Sequence, residues 1–444
     1  MSDVLARAYE GLVYIDANGM LAPRLATEWY ANDDATVWTF KIREGVPFHN
    51  GHILTARDVA YSFNRVLDPA IDTPVRAVLG IMKQVTAPDD TTAVFELNAP
   101  HADFPLLLAD YRALVIEEGS ADTIEQTGNG TGPFRLDTLD IEGVTVMTAF
   151  DDYWMGRPGH ARVEIYPIPD AIAVRQAALA GQIDTYSATT AEIPLFDPRQ
   201  FEVRNIRTGG WEGFVMRTDT PPFDNVKVRR ALRVVADRQE MIDLVLGPDG
   251  GTIACDSPVW PGDQYYLEMD CPQDIELARQ LLAEAGYPDG ITVDLYFSNL
   301  SQTWATLAQV YQQQAAQAGI TVNLNMTSAD GYWSDVWMVE AFTMTSWGER
   351  PADQILNEGW RSGADWNETY WNRPDFDDLL DRARSALDFD ERKELFGQAQ
   401  RMLWEEGGTL IPYFTNSVLI INRAVNMPDF GYGNTLWHLV TVNR

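Results

Sequence analysis

Cysteine and histidine are scarce. The chain of 444 residues holds two cysteines, Cys255 and Cys271, and five histidines. A structural zinc site needs about four Cys or His ligands at set spacings, which two cysteines with no histidine near them do not supply. An even count at close spacing suits one disulfide closing a surface loop rich in Pro, Gly, Asp and Tyr, and a disulfide implies an oxidising compartment. Long apolar runs are missing too. Nowhere do about 18 apolar residues follow one another, so no membrane-spanning helix is predicted. The start, Met1-Ser2-Asp3-Val4-Leu5, has neither the basic n-region nor the apolar h-region of a signal peptide. Positive charge is in short supply: 33 Lys and Arg stand against 65 Asp and Glu, a formal net charge of -32. Such a surface repels nucleic acid and anionic lipid, and the acids, spread along the chain, read as a solvated acidic exterior.

Catalytic signatures are absent as well. The sequence has no Gly-x-Ser-x-Gly elbow, no His-Glu-x-x-His, no Gly-x-x-x-x-Gly-Lys, and no Gly-x-Gly-x-x-Gly after a strand. His49 and His52 are spaced like metal ligands, but Asn50-Gly51 between them demands a turn. Asp89-Asp90 and Asp151-Asp152 read as turn acids. No metal site, no cofactor and no enzymatic activity are expected, a secreted hydrolase being the class set aside.

What is present is a globular chain, 45% hydrophobic and 11% aromatic. It is too long for one core, since single cores stop growing at roughly 250–300 residues. Patterning predicts a helix over 4–12, strands over 37–43 and 91–97, and a helix over 55–67. That last helix has Thr55 as N-cap, Asp58 at the capping-box position, and an apolar stripe of Val59, Phe63 and Val66. Residues 128–134 break regular structure. A strand over 162–168 and a helix over 171–180 ending at Gly181 follow. In the second half, helices are predicted over 224–246, 273–285, 301–318, 375–387 and 390–406, with a strand over 320–326. Alternating strands and helices with short connections predict an α/β fold.

Tryptophans fall outside helical periodicity and beside glycine or charge. Trp211 follows Gly209-Gly210, Tyr332-Trp333 and Trp337 follow Gly331, and Trp347 leads into Gly348-Glu349-Arg350-Pro351. Trp360, Trp366, Tyr370 and Trp371 surround Gly363 and Asn367. The density of such residues between 330 and 371 points to a binding cleft.

One run resembles the peptide-binding (oligopeptide and dipeptide) family of ABC-transporter extracytoplasmic solute-binding proteins, family 5, almost residue for residue. It comprises Leu21-Ala22-Pro23-Arg24-Leu25-Ala26-Thr27-Glu28-Trp29, then Trp38-Thr39-Phe40-Lys41-Ile42-Arg43-Glu44-Gly45-Val46-Pro47-Phe48-His49-Asn50-Gly51, then Leu54-Thr55-Ala56-Arg57-Asp58-Val59-Ala60-Tyr61-Ser62-Phe63. Further matches follow in family order: Tyr9-Glu10-Gly11-Leu12-Val13, Gly130-Thr131-Gly132-Pro133-Phe134, Pro222-Phe223-Asp224-Asn225, Ala278-Arg279-Gln280-Leu281-Leu282 and Pro374-Asp375-Phe376-Asp377. The resemblance covers essentially the whole chain.

It implies a two-lobed periplasmic-binding-protein clamp of type II character with an extra α/β subdomain inserted in the first lobe. Residues 1–14, 126–216 and 416–444 would form the core of lobe I, 15–125 the inserted subdomain, and 217–415 lobe II, with strands near 216 and 415 joining the lobes. The implied function is that of the substrate-binding subunit of an ABC importer, a monomer outside the cytoplasmic membrane (periplasmic or lipid-anchored). It would capture a short peptide or peptide-like solute and deliver it to the membrane permease; an opine-like or saccharide ligand is the alternative. Family members begin with a signal peptide, a strand and a loop that reaches the ligand, so about 35 mature residues are expected to precede this start.

The ligand-binding residues predicted are Trp211, Trp347, Glu349, Arg350, Asp353, Asn367, Tyr370 and Trp371. Peptide binders carry an aspartate three residues after the tryptophan matching Trp347, where it holds the ligand's ammonium; here that position is Arg350. The ammonium contact is therefore expected at Glu349 or Asp353, with Arg350 suited to a carboxylate. The competing reading of Arg350 is a surface salt bridge to Glu349 or Asp353.

Overall fold

The computed structural model describes residues 2–17, 19–71, 73, 75–168, 170–428 and 436–443. Two long strands, Phe201–Met216 and Thr409–Asn422, lie antiparallel at the centre of a seven-stranded sheet. Beyond Thr409–Asn422 lies the short strand Thr185–Ala188; beyond Phe201–Met216 come Phe342–Trp347, Ile291–Ser298 and Ile320–Thr327, with Gly251–Ile253 pairing separately to Thr409–Asn422. Ile291–Ser298 runs parallel to Ile320–Thr327, from Ile291 opposite Ile320 to Ser298 opposite Thr327. A parallel pair needs a crossover, and the helix Trp304–Ala316 supplies it, ending before Gly319, whose φ of 80° reverses the chain into the next strand.

Each long strand serves two neighbourhoods. Residues 418–421 pair with 185–188, whereas 211–216 pair with 342–347. The pairing between the long strands is interrupted by register shifts at Arg207/Trp211 and Glu212/Phe214. These bulges twist the ribbon where it passes from one apolar core to the other. On one side lies the core of Tyr186, Phe196, Phe201, Val418 and Ile420. On the other lies a large core containing Phe214, Leu232, Leu295, Trp304, Tyr311 and Phe342.

Residues 26–97 form a separate antiparallel sheet in the order Ala26–Ala31, Val37–Ile42, Thr92–Leu97, Met82–Asp89. The helix Ala56–Leu67 packs on it, with Phe63 and Phe40 each 5.2 Å from Phe95. The predicted start of this helix is present: Asp58 Oδ2 accepts from the Thr55 amide at 2.8 Å and from its hydroxyl at 2.9 Å.

Two helix predictions need correction. The first helix is Ser2–Ala8, not 4–12, because Tyr9–Leu12 leaves it to bring Leu12 into the neighbouring core. The span 224–246 is two helices, Val226–Val234 and Arg238–Val245. Asp237 caps the second by accepting from the Glu240 amide at 2.9 Å, a cap that the unbroken apolar stripe disguises. Cys255 and Cys271 form a disulfide with Cα atoms 5.4 Å apart.

Candidate functional site

Trp211 and Trp347 are directly opposite in the antiparallel pair. Opposed residues project from the same sheet face, and their indoles stack at 6.2 Å with 13° between planes. Trp360, just beyond the helix Ala352–Gly359, joins them at 6.2 Å from Trp211 and 6.4 Å from Trp347. Trp366 meets Trp347 edge-on at 5.7 Å and is 45% exposed. The outcome is an indole cluster, buried on the sheet and open at its Trp366 end.

Charge is set against this wall by the loop after Trp347. The Arg350 guanidinium lies 4.9 Å from the Trp347 ring centre and 5.7 Å from that of Trp366, within cation–π range. Its Nε pairs with Glu358 at 2.8 Å and its Nη1 donates to the Gly348 carbonyl at 3.2 Å. The ion-pair partner of Arg350 is thus Glu358, on the same helix as Asp353, and neither of the two acids named from the sequence.

Glu349 turns the other way. One carboxylate oxygen accepts from the Gly209 amide at 2.7 Å. Gly209 has no room for a side chain: a Cβ there would stand 2.6 Å from Trp260 and 2.8 Å from Glu349. Glu349 is exposed at the surface, yet protein crowds its flanks, and this partial burial pushes its carboxyl above the usual carboxylate range against the pull of the Gly209 amide.

The loop closed by the disulfide contributes a second acid that sequence reading passed over. Asp263 accepts from the Tyr265 and Ala352 amides, both at 2.8 Å. Burial raises its carboxyl to about 6, with the like charges of Asp103 and Glu349 adding to the effect. Trp260, Asp263 and Tyr265 all stand on this loop, which makes it a wall of the site.

Asp353 has a different occupation. It is 3% exposed and receives Arg384 in bidentate fashion, Nε at 2.8 Å and Nη2 at 2.9 Å. His101 Nε2, from the first third of the chain, lies 3.1 Å from the same carboxylate. Burial opposes ionisation of Asp353, but Arg384 and His101 more than offset it and hold the carboxyl well below its usual value. Beside this contact Ala102 donates to the Arg384 carbonyl at 2.7 Å, and Tyr265 donates to Asp103 at 2.9 Å while Arg392 approaches Asp103 at 3.2 Å. Residues 101–103 therefore clasp the helices Ala352–Gly359, Pro374–Ser385 and Phe389–Glu406, and Asp353 belongs to that clasp.

The remaining predicted residues shape a loop. The Asn367 amide donates to the carbonyls of Arg361 at 3.1 Å and Trp371 at 2.7 Å, and Trp371 is buried against Phe376 at 5.1 Å. Tyr370 donates to the Met338 carbonyl at 2.9 Å beneath Arg217. Thus Trp211, Trp347, Glu349 and Arg350 are brought together, and Trp371 is buried in the same apolar core as Trp211, Trp347 and Trp360, whereas Asp353, Asn367 and Tyr370 give their polar groups to other partners. His49 is held between the carbonyls of Gly128 at 3.2 Å and Gly132 at 2.9 Å. A surface concavity of about 750 Å³, bordered by Arg57, Tyr61, Asn64, Arg65 and Glu118, touches none of the candidate residues. It is a broad hollow on the helix Ala56–Leu67, without the convergent aromatic and charged groups of the indole cluster.

Comparison with known proteins identifies the family and the fold. The family described as "Bacterial extracellular solute-binding proteins, family 5 Middle" matches residues 20–368. Heme-binding protein A of Haemophilus influenzae is 27% identical over 433 residues, covering 86% of this chain and 76% of that protein. The glutathione-binding protein GsiB of Escherichia coli K12 is 27% identical over 477 residues, covering 97% of this chain and 89% of that protein. The solved structure of HbpA2 from Haemophilus parasuis superposes with a TM-score of 0.88 at 25% identity, over 99% of this chain and 95% of that one. The matching fold is the two-lobed clamp of periplasmic binding proteins. Among the described residues, no helix is long and apolar enough to cross a membrane.

Proposed function

The chain belongs to the family 5 bacterial extracellular solute-binding proteins, and from that premise we propose that it captures a short peptide or peptide-like solute for an ABC permease, as a monomer in the periplasm. The lobes of this reading are residues 1–14, 126–216 and 416–444 with the inserted 15–125, against 217–415. The separation of apolar cores on either side of the two long strands supports two lobes, with Phe214 and Met216 packing in the core of the second.

One observation carries the ligand class: opposite charges flank a stacked indole wall. Glu349 has one carboxylate oxygen on the Gly209 amide and is open to solvent, and Arg350 lies across Trp347 and Trp366. A zwitterion with an apolar middle reaches Glu349 and the part of Arg350 not taken by Glu358 and covers the exposed Trp366 ring, so that its charged ends keep partners on burial. Asp353 is committed to Arg384 and His101, so the ammonium contact falls to Glu349. The glutathione-binding relative gives the peptide-like class a precedent. A second reading, an opine-like or saccharide ligand, draws on the half-exposed rings of Trp333 and Trp366.

A thermal-shift screen across glutathione, di- and tripeptides, opines and sugars decides between them. A ligand present at a hundred times its Kd stabilises the native form by about 2.7 kcal/mol, a readable shift in Tm. Shifts with peptides or glutathione support the proposal; shifts with sugars or opines alone replace it with the second reading.

A further inference from the structure

Glu368 is a carboxylate in the middle of the aromatic cluster. It is 1% exposed. Its Oε1 accepts the indole N–H of Trp347 at 3.0 Å and its Oε2 accepts that of Trp337. Trp337 lies on the turn Tyr332–Trp337 and is edge-on to the exposed Trp333 at 5.4 Å, while Trp347 carries Trp211, Trp360, Trp366 and Arg350. Two groups of indoles that do not otherwise meet in a ring contact are thereby joined through one side chain.

The surroundings make this an unusual place for an acid. Among the described residues no cation stands within ion-pair distance of Glu368. The polar groups facing it are the two indole N–H groups and the Thr345 hydroxyl, and the titratable group nearby is the Tyr332 phenol. Burial raises its carboxyl to about 7, the three donors opposing. A polar group is kept in such a setting at a cost unless it has partners, and here the partners are walls of the site. An indole has one N–H and no acceptor, so an acceptor is what fixes the direction of its polar edge. A carboxylate with two oxygens fixes two rings at once.

We propose that Glu368 is a positioning residue of the ligand site, holding Trp337 and Trp347 so that the aromatic wall presents one fixed surface to the solute. The proposal rests on the reading of the indole cluster as the ligand wall. It names Glu368 as the residue that sets the wall's shape without touching the solute.

The test is nuclear magnetic resonance of the full chain labelled with nitrogen-15 in its indoles, with Trp337→Phe and Trp347→Phe used for assignment. In the wild type both N–H signals should move together as pH passes through neutrality. In Glu368→Gln that shared titration should be lost while the fold is kept. Independent behaviour of the two signals, or their joint titration surviving in Glu368→Gln, overturns the proposal. Calorimetry with glutathione adds the functional arm: Glu368→Gln should bind about tenfold more weakly, the worth of one hydrogen bond to a charged acceptor. Unchanged affinity in a variant that has lost the shared titration also overturns it. If wild-type protein does not take up glutathione, the same calorimetry is run with the peptide from the thermal-shift screen. Failure of every solute removes the ligand-wall reading, and with it this role for Glu368, whereas the resonance arm separately shows whether the carboxyl holds the two rings.

Discussion

Replacing Asp353 by Asn separates a clasp from a ligand contact. The carboxylate holds Arg384 through two bonds of 2.8 and 2.9 Å, sits 3.1 Å from His101, and accepts from Asn357 at 3.1 Å. The amide keeps the volume but offers one oxygen and no charge, so Arg384 is left facing a neutral group. Removing one member of a fully buried pair costs about 3–5 kcal/mol. The Arg384 side chain retains 27% exposure and partly recovers its hydration, so the expected loss is about 2–3 kcal/mol. The sign with pH follows from the depressed carboxyl. A group held below its ordinary value of 3.8 contributes in full above that value and ceases to contribute as pH falls through its folded-state value. The gap between wild type and Asp353→Asn should therefore be constant from neutral pH down to about pH 5 and narrow below about pH 4. Urea unfolding at a series of pH values measures the gap, and a double-mutant cycle with Arg384→Met measures the coupling, expected to exceed about 1 kcal/mol. A loss below about 0.5 kcal/mol, or full additivity in the cycle, refutes the clasp. A large fall in affinity at unchanged stability would instead return Asp353 to the ligand.

Cys255→Ser with Cys271→Ser opens a loop of 16 residues' separation and should cost about 3 kcal/mol by the chain-entropy relation; thiol titration of denatured, unreduced wild type should find no free thiol. Glu349→Gln and Arg350→Ala should each weaken binding of the solute found by the thermal-shift screen by about tenfold. Because burial raises the Glu349 carboxyl, wild-type affinity for a cationic group should fall on mild acidification, earlier than for an ordinary carboxylate, and calorimetry on Glu349→Gln should show no such dependence. Wild-type affinity in Arg350→Ala would leave that residue as a surface partner of Glu358.

Local signals were legible where local chemistry decides structure. Thr55 and Asp58 announce their helix because a cap is satisfied within four residues, and Gly319 announces a stop for the same reason. The break at Asp237 was obscured because Val228, Leu232, Val235 and Ile242 all face one core on both sides of it. Trp211 and Trp347 could be picked out by their glycine neighbours. Their pairing depends on strand register, which periodicity alone does not fix. Asp353 looked like a ligand acid because its partners lie 31 and 252 residues away. The disulfide loop read as surface because its turn-rich composition hides a tyrosine whose acceptor, Asp103, is 162 residues distant. Glu368 sits in a polar stretch like any loop acid, and only the burial of its neighbours distinguishes it.

The two long strands also govern the order in which the chain can fold. Phe201–Met216 is made before the whole span 217–408, and only after that span comes its partner along the full ribbon, Thr409–Asn422. Every core that borders the ribbon waits for that late strand: Val418 and Ile420 on one side, Leu410 and Tyr413 on the other. Loop closure over some two hundred residues precedes the contacts that reward it, a slow and cooperative arrangement. A growing chain emerges in this order, so its central sheet stays unfinished until Thr409–Asn422 appears. Such a polypeptide commits to its final shape once the last long strand is delivered.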